Sequence, residues 1–488
     1  MNLSERKQVV CNLLQNNKYR WIKRFAIRPV IDDYLACFNT FFMTRIYYKR
    51  RFQSVIDFFS VPRSLRDIEY LLESMSRQAQ NEIYSFIHTA IDRHFLVVTD
   101  FSEKKKCVEI AKQMAGNGVE INIVYMIFSL NCNLRCPHCI ILKNHDRDGY
   151  PVMTKAEIEN YIDYFCLNYG KSKIDPDMIF YGGEPLLYPA LIKHSVLYSK
   201  KKEKELAFYG RFKYSIITNG TIIDDDFLKF ARDHNIAMII SLDGFAKQHD
   251  KFRIDKNGRG SFKRAIEFAD RAIEKELKVT FSVTPTSSCL PTLPRFFAWL
   301  RKRFDGRSIG MNRLYYNRTR YTRLKYEYYQ QMERLFFYCA THDIAEGILM
   351  KRWDVFQTCT PFPRYCGGVG NQVVFLPGGL AGPCHGFCDT CYKGRKKNFI
   401  NIPYGKLLKD HVLWQRWDRA RAYDIPGCIN QCDIFSLCGG GCAYQAYMLN
   451  HSIHGCDKDF CRLMESVFKI YLLNEFNDKR KQTSSDFY

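Results

Sequence analysis

An α/β fold built on parallel βαβ units is what this chain predicts, with a helical N-terminal extension before it and a cysteine-rich domain after it. Three observations carry the prediction. From residue 119 to 315, apolar β-branched runs alternate with amphipathic helical periods, the pattern of strands joined by crossover helices and closed or partly closed into a barrel. Residues 1–118 show helical spacing and no metal-type motif. Nine of the 20 cysteines lie from Cys359 to Cys442, and Cys456 and Cys461 follow.

Composition narrows the class. The 488 residues give a length prior of about three domains, and 46% hydrophobic with 25% charged residues is the balance of a folded globular chain. No apolar run approaches the ~18 residues that cross a bilayer. The opening Met1-Asn-Leu-Ser-Glu-Arg-Lys-Gln8 lacks the apolar core and small-residue cleavage site of a secretory signal, so a cytoplasmic location is expected. In a reducing cytosol abundant cysteine reads as metal ligation rather than disulfides. Cys11, Cys37, Cys107, Cys166, Cys289 and Cys339, scattered in apolar or helical surroundings, read instead as small buried hydrophobes. The net charge of +22 favours an acidic partner. The basic clusters at 49–51, 104–106, 200–202 and 479–481 carry no recognition-helix or finger pattern, and each alone reads as solvated surface.

In chain order, Ser64 is a candidate N-cap for a helix whose apolar residues recur at helical spacing. A second helix is expected over 80–93 and a short strand over 95–99. Helix, helix, then strand resembles a winged-helix peptide-recognition module, with a plain helical cap as the alternative. Core strands are expected at 121–129, 177–181, 214–218, 237–241, 279–283 and 308–315, with helices at 154–167, 224–234 and 261–276. Ligands in such folds bind at the carboxyl ends of the strands. Residues 316–358 read as a connecting helical segment with one buried face, 359–465 as the cysteine-rich domain, and 466–488 as a terminal helix (467–473) with a disordered tail from 477.

The motifs fall at those strand ends. Cys132-Asn-Leu-Arg-Cys136-Pro-His-Cys139 follows the first strand. Three thiols at this spacing can hold one metal cluster and leave a position unfilled, whereas structural zinc and most iron–sulfur sites take four protein ligands. Tyr181-Gly182-Gly183-Glu184-Pro185 follows the second strand, where adjacent glycines let backbone approach a ligand and a carboxylate can accept from an ammonium. Ile217-Thr218-Asn219-Gly220 ends the third, and Ser241-Leu242-Asp243-Gly244 the fourth, continuing to His249-Asp250 and Arg253.

This ordered set resembles the radical SAM enzymes. The resemblance implies a partial (β/α)6 TIM-like radical SAM barrel and a 4Fe–4S cluster on Cys132, Cys136 and Cys139 whose open iron holds S-adenosyl-L-methionine. It implies a cofactor-binding set of His138, Gly182, Gly183, Glu184, Pro185, Thr218, Asn219, Ser241, Asp243 and Arg253. Reductive cleavage of the cofactor to a 5′-deoxyadenosyl radical, which takes hydrogen from an unactivated C–H bond, is the implied chemistry.

Downstream, Cys366-x12-Gly379-x4-Cys384 and then Cys428-x3-Cys432-x5-Cys438-x3-Cys442 with Cys461 resemble the SPASM pattern, which ligates two auxiliary 4Fe–4S clusters. The first step departs from the family's C-x2-C by one residue. The resemblance assigns Cys366, Cys384 and Cys442 to the first auxiliary cluster, with Cys359, Cys388, Cys391 or an open position as the fourth. It assigns Cys428, Cys432, Cys438 and Cys461 to the second, with Cys456 competing for the last place. Relatives of this type mostly modify peptides or proteins, as anaerobic sulfatase maturases or maturases of ribosomally made peptides. In the sulfatase maturases an Asp follows the second SPASM cysteine and serves as base; here His385 holds that position and becomes the candidate base.

The expected function is maturation of a ribosomally synthesised peptide, by thioether or carbon–carbon cross-linking or C–H oxidation. A sulfatase-maturase-type formylglycine-generating enzyme is the alternative. A nucleic-acid-modifying radical enzyme and a non-catalytic electron carrier are the readings from other classes. Expected partners are a peptide or protein substrate with an acidic leader and a one-electron reductant such as flavodoxin or ferredoxin, with no membrane and no nucleic acid.

Overall fold

A computed structural model describes residues 2–116, 121–141, 148–170, 174–206, 210–305, 308–312, 314, 326–342, 344–388, 398–402 and 405–481. The N-terminal extension carries helices, Leu3–Gln15 and Glu103–Gly116 at its two ends among them, together with strands that its helical spacing does not predict. It holds an antiparallel pair, β1 (Tyr19–Trp21) with β5 (Leu96–Val98). It also holds a three-stranded meander of β2 (Ala26–Pro29), β3 (Tyr34–Asn39) and β4 (Thr44–Lys49). Alternation fails to mark β3 and β4 because both of their faces are covered. Five of six residues in β3 and four of six in β4 are buried, so the half-buried signature never forms. The two helices expected here are present as Leu65–Leu72, where Ser64 and Asp67 form a capping box, and Arg77–Asp92.

One face of the meander (Leu35, Cys37, Ile46, Tyr48) joins the extension's own core. The other face (Ala36, Phe38, Tyr47) packs on the helix Lys458–Lys481. There Phe38 meets Phe468 at 4.9 Å and Tyr47 meets Phe476 at 5.5 Å between ring centroids. A buried ion pair locks the joint. Arg45 and Glu475 are each 7% exposed, Arg45 Nη2 donates to Glu475 Oε1 at 2.5 Å, and the Tyr47 hydroxyl donates to the same carboxylate at 2.7 Å. The expected disordered tail is corrected at its start, since this helix continues through Lys481; residues 482–488 lie outside the described ones.

The centre is a nine-stranded, mostly parallel sheet. In chain order β6 (Ile123–Met126), β7 (Asp177–Phe180), β8 (Lys213–Thr218), β9 (Ile236–Ser241), β10 (Val279–Val283) and β11 (Ile309–Met311) pair parallel, each with the next. All six expected core strands are there, with Tyr315 of the last outside the described residues. Crossover helices begin where side-chain caps predict. Thr154 and Glu157 form a capping box before Lys155–Tyr169, and Asp224 caps Asp225–Asp233.

The sheet does not stop at the expected start of the cysteine-rich region. β12 (Gln372–Leu376), buried at every position, pairs parallel with β6 on the side away from β7. β13 (Leu380–Gly382) and β14 (Ile400–Asn401) then add antiparallel. The helices Tyr326–Thr341 and Gly347–Gln357 occupy the connecting segment. Among the described residues no helix is long and apolar enough to cross a membrane.

Candidate functional site

Parallel pairing brings the carboxyl ends of β6 to β9 side by side, and the loops leaving them hold one another. The cysteine loop after β6 is pinned from three sides. From the loop after β7, Gly183 N donates to Ser129 O at 3.1 Å and Glu184 N to Asn131 O at 2.9 Å. From the loop after β8, Asn219 Nδ2 donates to Asn133 Oδ1, and Asn133 Nδ2 in turn donates to Thr221 Oγ1, both at 2.8 Å. On the side of the loop after β9, Arg135 N donates to Ile254 O at 2.6 Å.

The glycine pair serves this packing. A Cβ on Gly183 would lie 1.9 Å from Asn131 O, and one on Gly182, whose φ is +126°, would lie 2.5 Å from Ile127 Cγ2. The close approach expected toward a ligand is, in the fold, an approach to the backbone that leads into Cys132.

Cys132 and Cys136 are buried and Cys139 is half-buried. Burial pushes the Cys132 thiol well above its ordinary range, and Glu184, Cys136 and Cys139 add to the rise. Three thiols carried on one short loop are a donor set that a metal centre deprotonates on binding, so the residues fit a cluster. Among the described residues no group of three His, Cys, Asp or Glu side chains closes on a single-ion site.

Around this loop stand two buried carboxylates in opposite states. Glu184 accepts from Thr218 Oγ1 and Asn219 N, both at 2.8 Å, and from Leu186 N at 3.0 Å. Burial nevertheless raises its pKa to about 7, with those bonds pulling down. Asp243 would be raised by burial too, but Arg253 and His138 outweigh it and hold it well below the carboxylate range. Arg253 grips it with two bonds, Nε to Oδ2 at 2.5 Å and Nη2 to Oδ1 at 3.1 Å. His138 Nε2 lies 3.2 Å from Oδ2, while its Nδ1 is buried without a partner.

Arg253, expected to bind the cofactor directly, is thus already paired. Pro185 opens the short helical turn after Glu184, and Ser241 closes β9, almost buried. His249 is a member the motifs pointed to only in passing. Its Nδ1 accepts from Asp243 N at 3.2 Å, its Nε2 lies 2.9 Å from Ser261 Oγ, and burial lowers its pKa to about 3.

His385 stands beside this site, not in it. Its ring lies 5.0 Å from Tyr125 and 5.2 Å from Tyr181, its Nδ1 is buried without a partner, and burial lowers its pKa to about 4. It is therefore neutral at physiological pH. The two tyrosines link the regions, since Tyr181 feels Cys139, and Tyr125 feels Cys366 and Cys384.

Of the first C-terminal cysteine set, Cys384 accepts from Gly386 N at 3.4 Å and Cys442 stands at the residue before the helix Ala443–Asn450. Cys388 is buried, whereas Cys359 is exposed and takes a 3.5 Å bond from Arg45. Cys391 lies outside the described residues. In the second set Cys428, Cys432 and Cys438 interact with one another. Cys461 acts on Cys432, and Cys456 is hydrogen-bonded to Cys428. A Cβ on Gly427 would meet Cys456 Sγ at 2.3 Å. Both rivals for the last place that the resemblance leaves open, Cys456 and Cys461, are thus among the described residues beside this set.

Comparison with known proteins reaches part of the chain. Residues 126–291 match the Radical SAM superfamily model. A cysteine-type anaerobic sulfatase-maturating enzyme of Clostridium novyi is 33% identical over 146 residues, 28% of this chain and 36% of that protein. The radical SAM cyclopropyl synthase TigE of Paramaledivibacter caminithermalis is 25% identical over 243 residues, covering 47% of this chain and 49% of that protein. The chain thus spans about a third to a half of the length of these curated relatives. The fold is shared more widely: native anSMEcpe with bound AdoMet superposes with a TM-score of 0.61 at 18% identity, over 73% of this chain and 98% of that one. Over residues 126–291 the chain matches the radical SAM superfamily, and over much of that stretch it is similar to radical SAM enzymes.

Proposed function

We propose that the chain matures a ribosomally synthesised peptide by hydrogen abstraction, making a thioether or carbon–carbon cross-link or oxidising a C–H bond. The observation that carries this is the three-cysteine loop, tied to three strand ends beside the Glu184 and Asp243–Arg253–His138 groups. A 4Fe–4S cluster with S-adenosyl-L-methionine supplies, when bound there, the electron and the 5′-deoxyadenosyl radical.

The protein's own residues do the rest. Glu184, Thr218 and Asn219 shape the polar wall after β7 and β8. Asp243 keeps Arg253 and His138 in place. Neutral His385, between Tyr125 and Tyr181, is an acceptor for the proton that leaves an oxidised substrate. The two C-terminal cysteine sets, read as SPASM-type auxiliary sites, would hold clusters able to accept the second electron. A meander, three helices and a short strand in sequence support the peptide-recognition reading of residues 26–98, and the net charge of +22 suits an acidic leader.

Formylglycine formation on a sulfatase is the second reading, favoured by the Clostridium novyi relative. A cytoplasmic site of action and a flavodoxin or ferredoxin donor complete the proposal. Anaerobic reconstitution with dithionite and S-adenosyl-L-methionine tests the enzyme, with 5′-deoxyadenosine as the expected product; its absence ends the proposal. Mass spectrometry then separates the readings. Loss of a hydrogen pair from an acidic precursor peptide supports peptide maturation, and an aldehyde formed only on a sulfatase-motif peptide supports the second reading.

A further inference from the structure

Arg352, on the helix Gly347–Gln357, is 2% exposed. Its Nη1 donates to Ile348 O at 3.3 Å and its Nη2 to Cys438 O at 3.2 Å. Its Nε is buried with no acceptor. Three rings cage the guanidinium: Phe362 at 5.0 Å, Tyr365 at 5.6 Å and Phe460 at 5.5 Å. Among the described residues no carboxylate comes within ion-pair distance of it. Glu346 is the acidic group it feels, but that carboxylate is occupied by the N–H groups of Met311, Ile348 and Leu349.

A guanidinium cannot shed its proton, and a buried charge without a counter-charge costs several kcal/mol. Something anionic belongs beside it. Its surroundings name the candidate. Arg352 touches one loop of each C-terminal set, through its bond to Cys438 O and through the ring of Tyr365, the residue before Cys366. The two cysteine loops lie back to back here: Phe362 N donates to Ser436 O at 2.7 Å. A Cβ on Gly439 would lie 2.8 Å from Tyr365 N. Tyr365 and Phe460, each next in sequence to a candidate ligand, meet edge to face at 4.8 Å.

We propose that Arg352 is the buried counter-charge shared by both auxiliary iron–sulfur sites, a positioning residue that holds their reduction potentials up. The proposal rests on the reading of both C-terminal sets as cluster sites. Thiolate-ligated clusters are anions that gain negative charge on reduction, so a fixed cation between two of them favours the reduced form of each. The fork to Cys438 O and the aromatic cage call for arginine's planar, weakly hydrated charge.

The test uses full-length protein carrying Cys132→Ala, Cys136→Ala and Cys139→Ala, so that iron resides only in the auxiliary sites. Iron and sulfide content and EPR-monitored midpoint potentials are compared for that parent and for added Arg352→Met and Arg352→Lys. The expected result is that both midpoints fall in Arg352→Met and return most of the way in Arg352→Lys. Unchanged midpoints in Arg352→Met overturn the proposal, as does an equal fall in both variants. If Arg352→Met loses iron, restoration by Arg352→Lys supports the counter-charge and loss in both overturns it. A parent without auxiliary iron refutes the cluster reading itself and the proposal with it.

Discussion

The cysteine loop after β6 and the C-terminal cysteine sets solve the same problem, holding soft thiols in place, by different means. The first is positioned largely by backbone: parallel strands bring the loops together, and main-chain bonds from the loops after β7 and β9, with a side-chain pair from the loop after β8, fix its course. The second is positioned by side chains, through an aromatic cage, one buried cation, and loops packed on each other and on the N-terminal extension. A backbone-built site repeats wherever the strand order repeats. A side-chain-built site depends on each large residue around it.

Changes at the two regions sharpen the contrast. The largest effect is expected from Cys136→Ser, which removes a donor that no neighbour replaces. Iron at the loop and 5′-deoxyadenosine formation should fall to background, read by iron assay and chromatography; retained cleavage breaks the assignment.

Next comes the joint between extension and terminal helix. Arg45→Met strips Glu475 of its bidentate partner and leaves it the Lys479 ammonium at 3.4 Å and the Tyr47 hydroxyl, and should cost about 3 kcal/mol in urea unfolding. Acid modulates this. Burial raises Glu475, but Arg45 overrides it and holds its pKa below the ordinary 4.5. The pair's contribution is therefore complete above pH 4.5 and is lost as pH falls through the lower folded value. The stability gap between wild type and Glu475→Gln should narrow in that acid range. A gap that widens contradicts the pairing.

Gly183→Ala is expected to cost about 1–3 kcal/mol, since the new methyl group runs into the Leu130–Asn131 backbone, and to lower iron occupancy of the loop with it. Equal stability and occupancy would show that the loop can move aside. The smallest change should come from Asn133→Ala, at about 1 kcal/mol for its lost hydrogen bonds, seen as a modest fall in Tm with iron content retained.

Much of the core is legible in the amino-acid sequence. Six strands, their helices and the motif loops can be placed because each parallel strand is a short apolar run followed by turn residues. The meander of residues 26–49 is not legible, because Ala36, Phe38 and Tyr47 face one core and Leu35, Cys37 and Tyr48 the other, which erases alternation. β12 is hidden by its cysteine-rich setting, where spacing draws attention to Cys366 and Cys384 and away from Gln372-Val-Val-Phe-Leu376. At the site, residue types at strand ends can be named from sequence. The pairing of Arg253 with Asp243, and the meeting of Arg352 with two distant cysteine loops, are contacts between segments separated along the chain, and no local signal encodes them.

The place of β12 bears on how the protein is made. β6 gains its second neighbour only from residues 372–376, so the strand that delivers the first cysteine loop stays an open edge until most of the chain has left the ribosome. An edge of that kind invites wrong partners, and such long-range closure is slow. The nascent protein is therefore most vulnerable to aggregation in the interval before its C-terminal third arrives to seal the central strand.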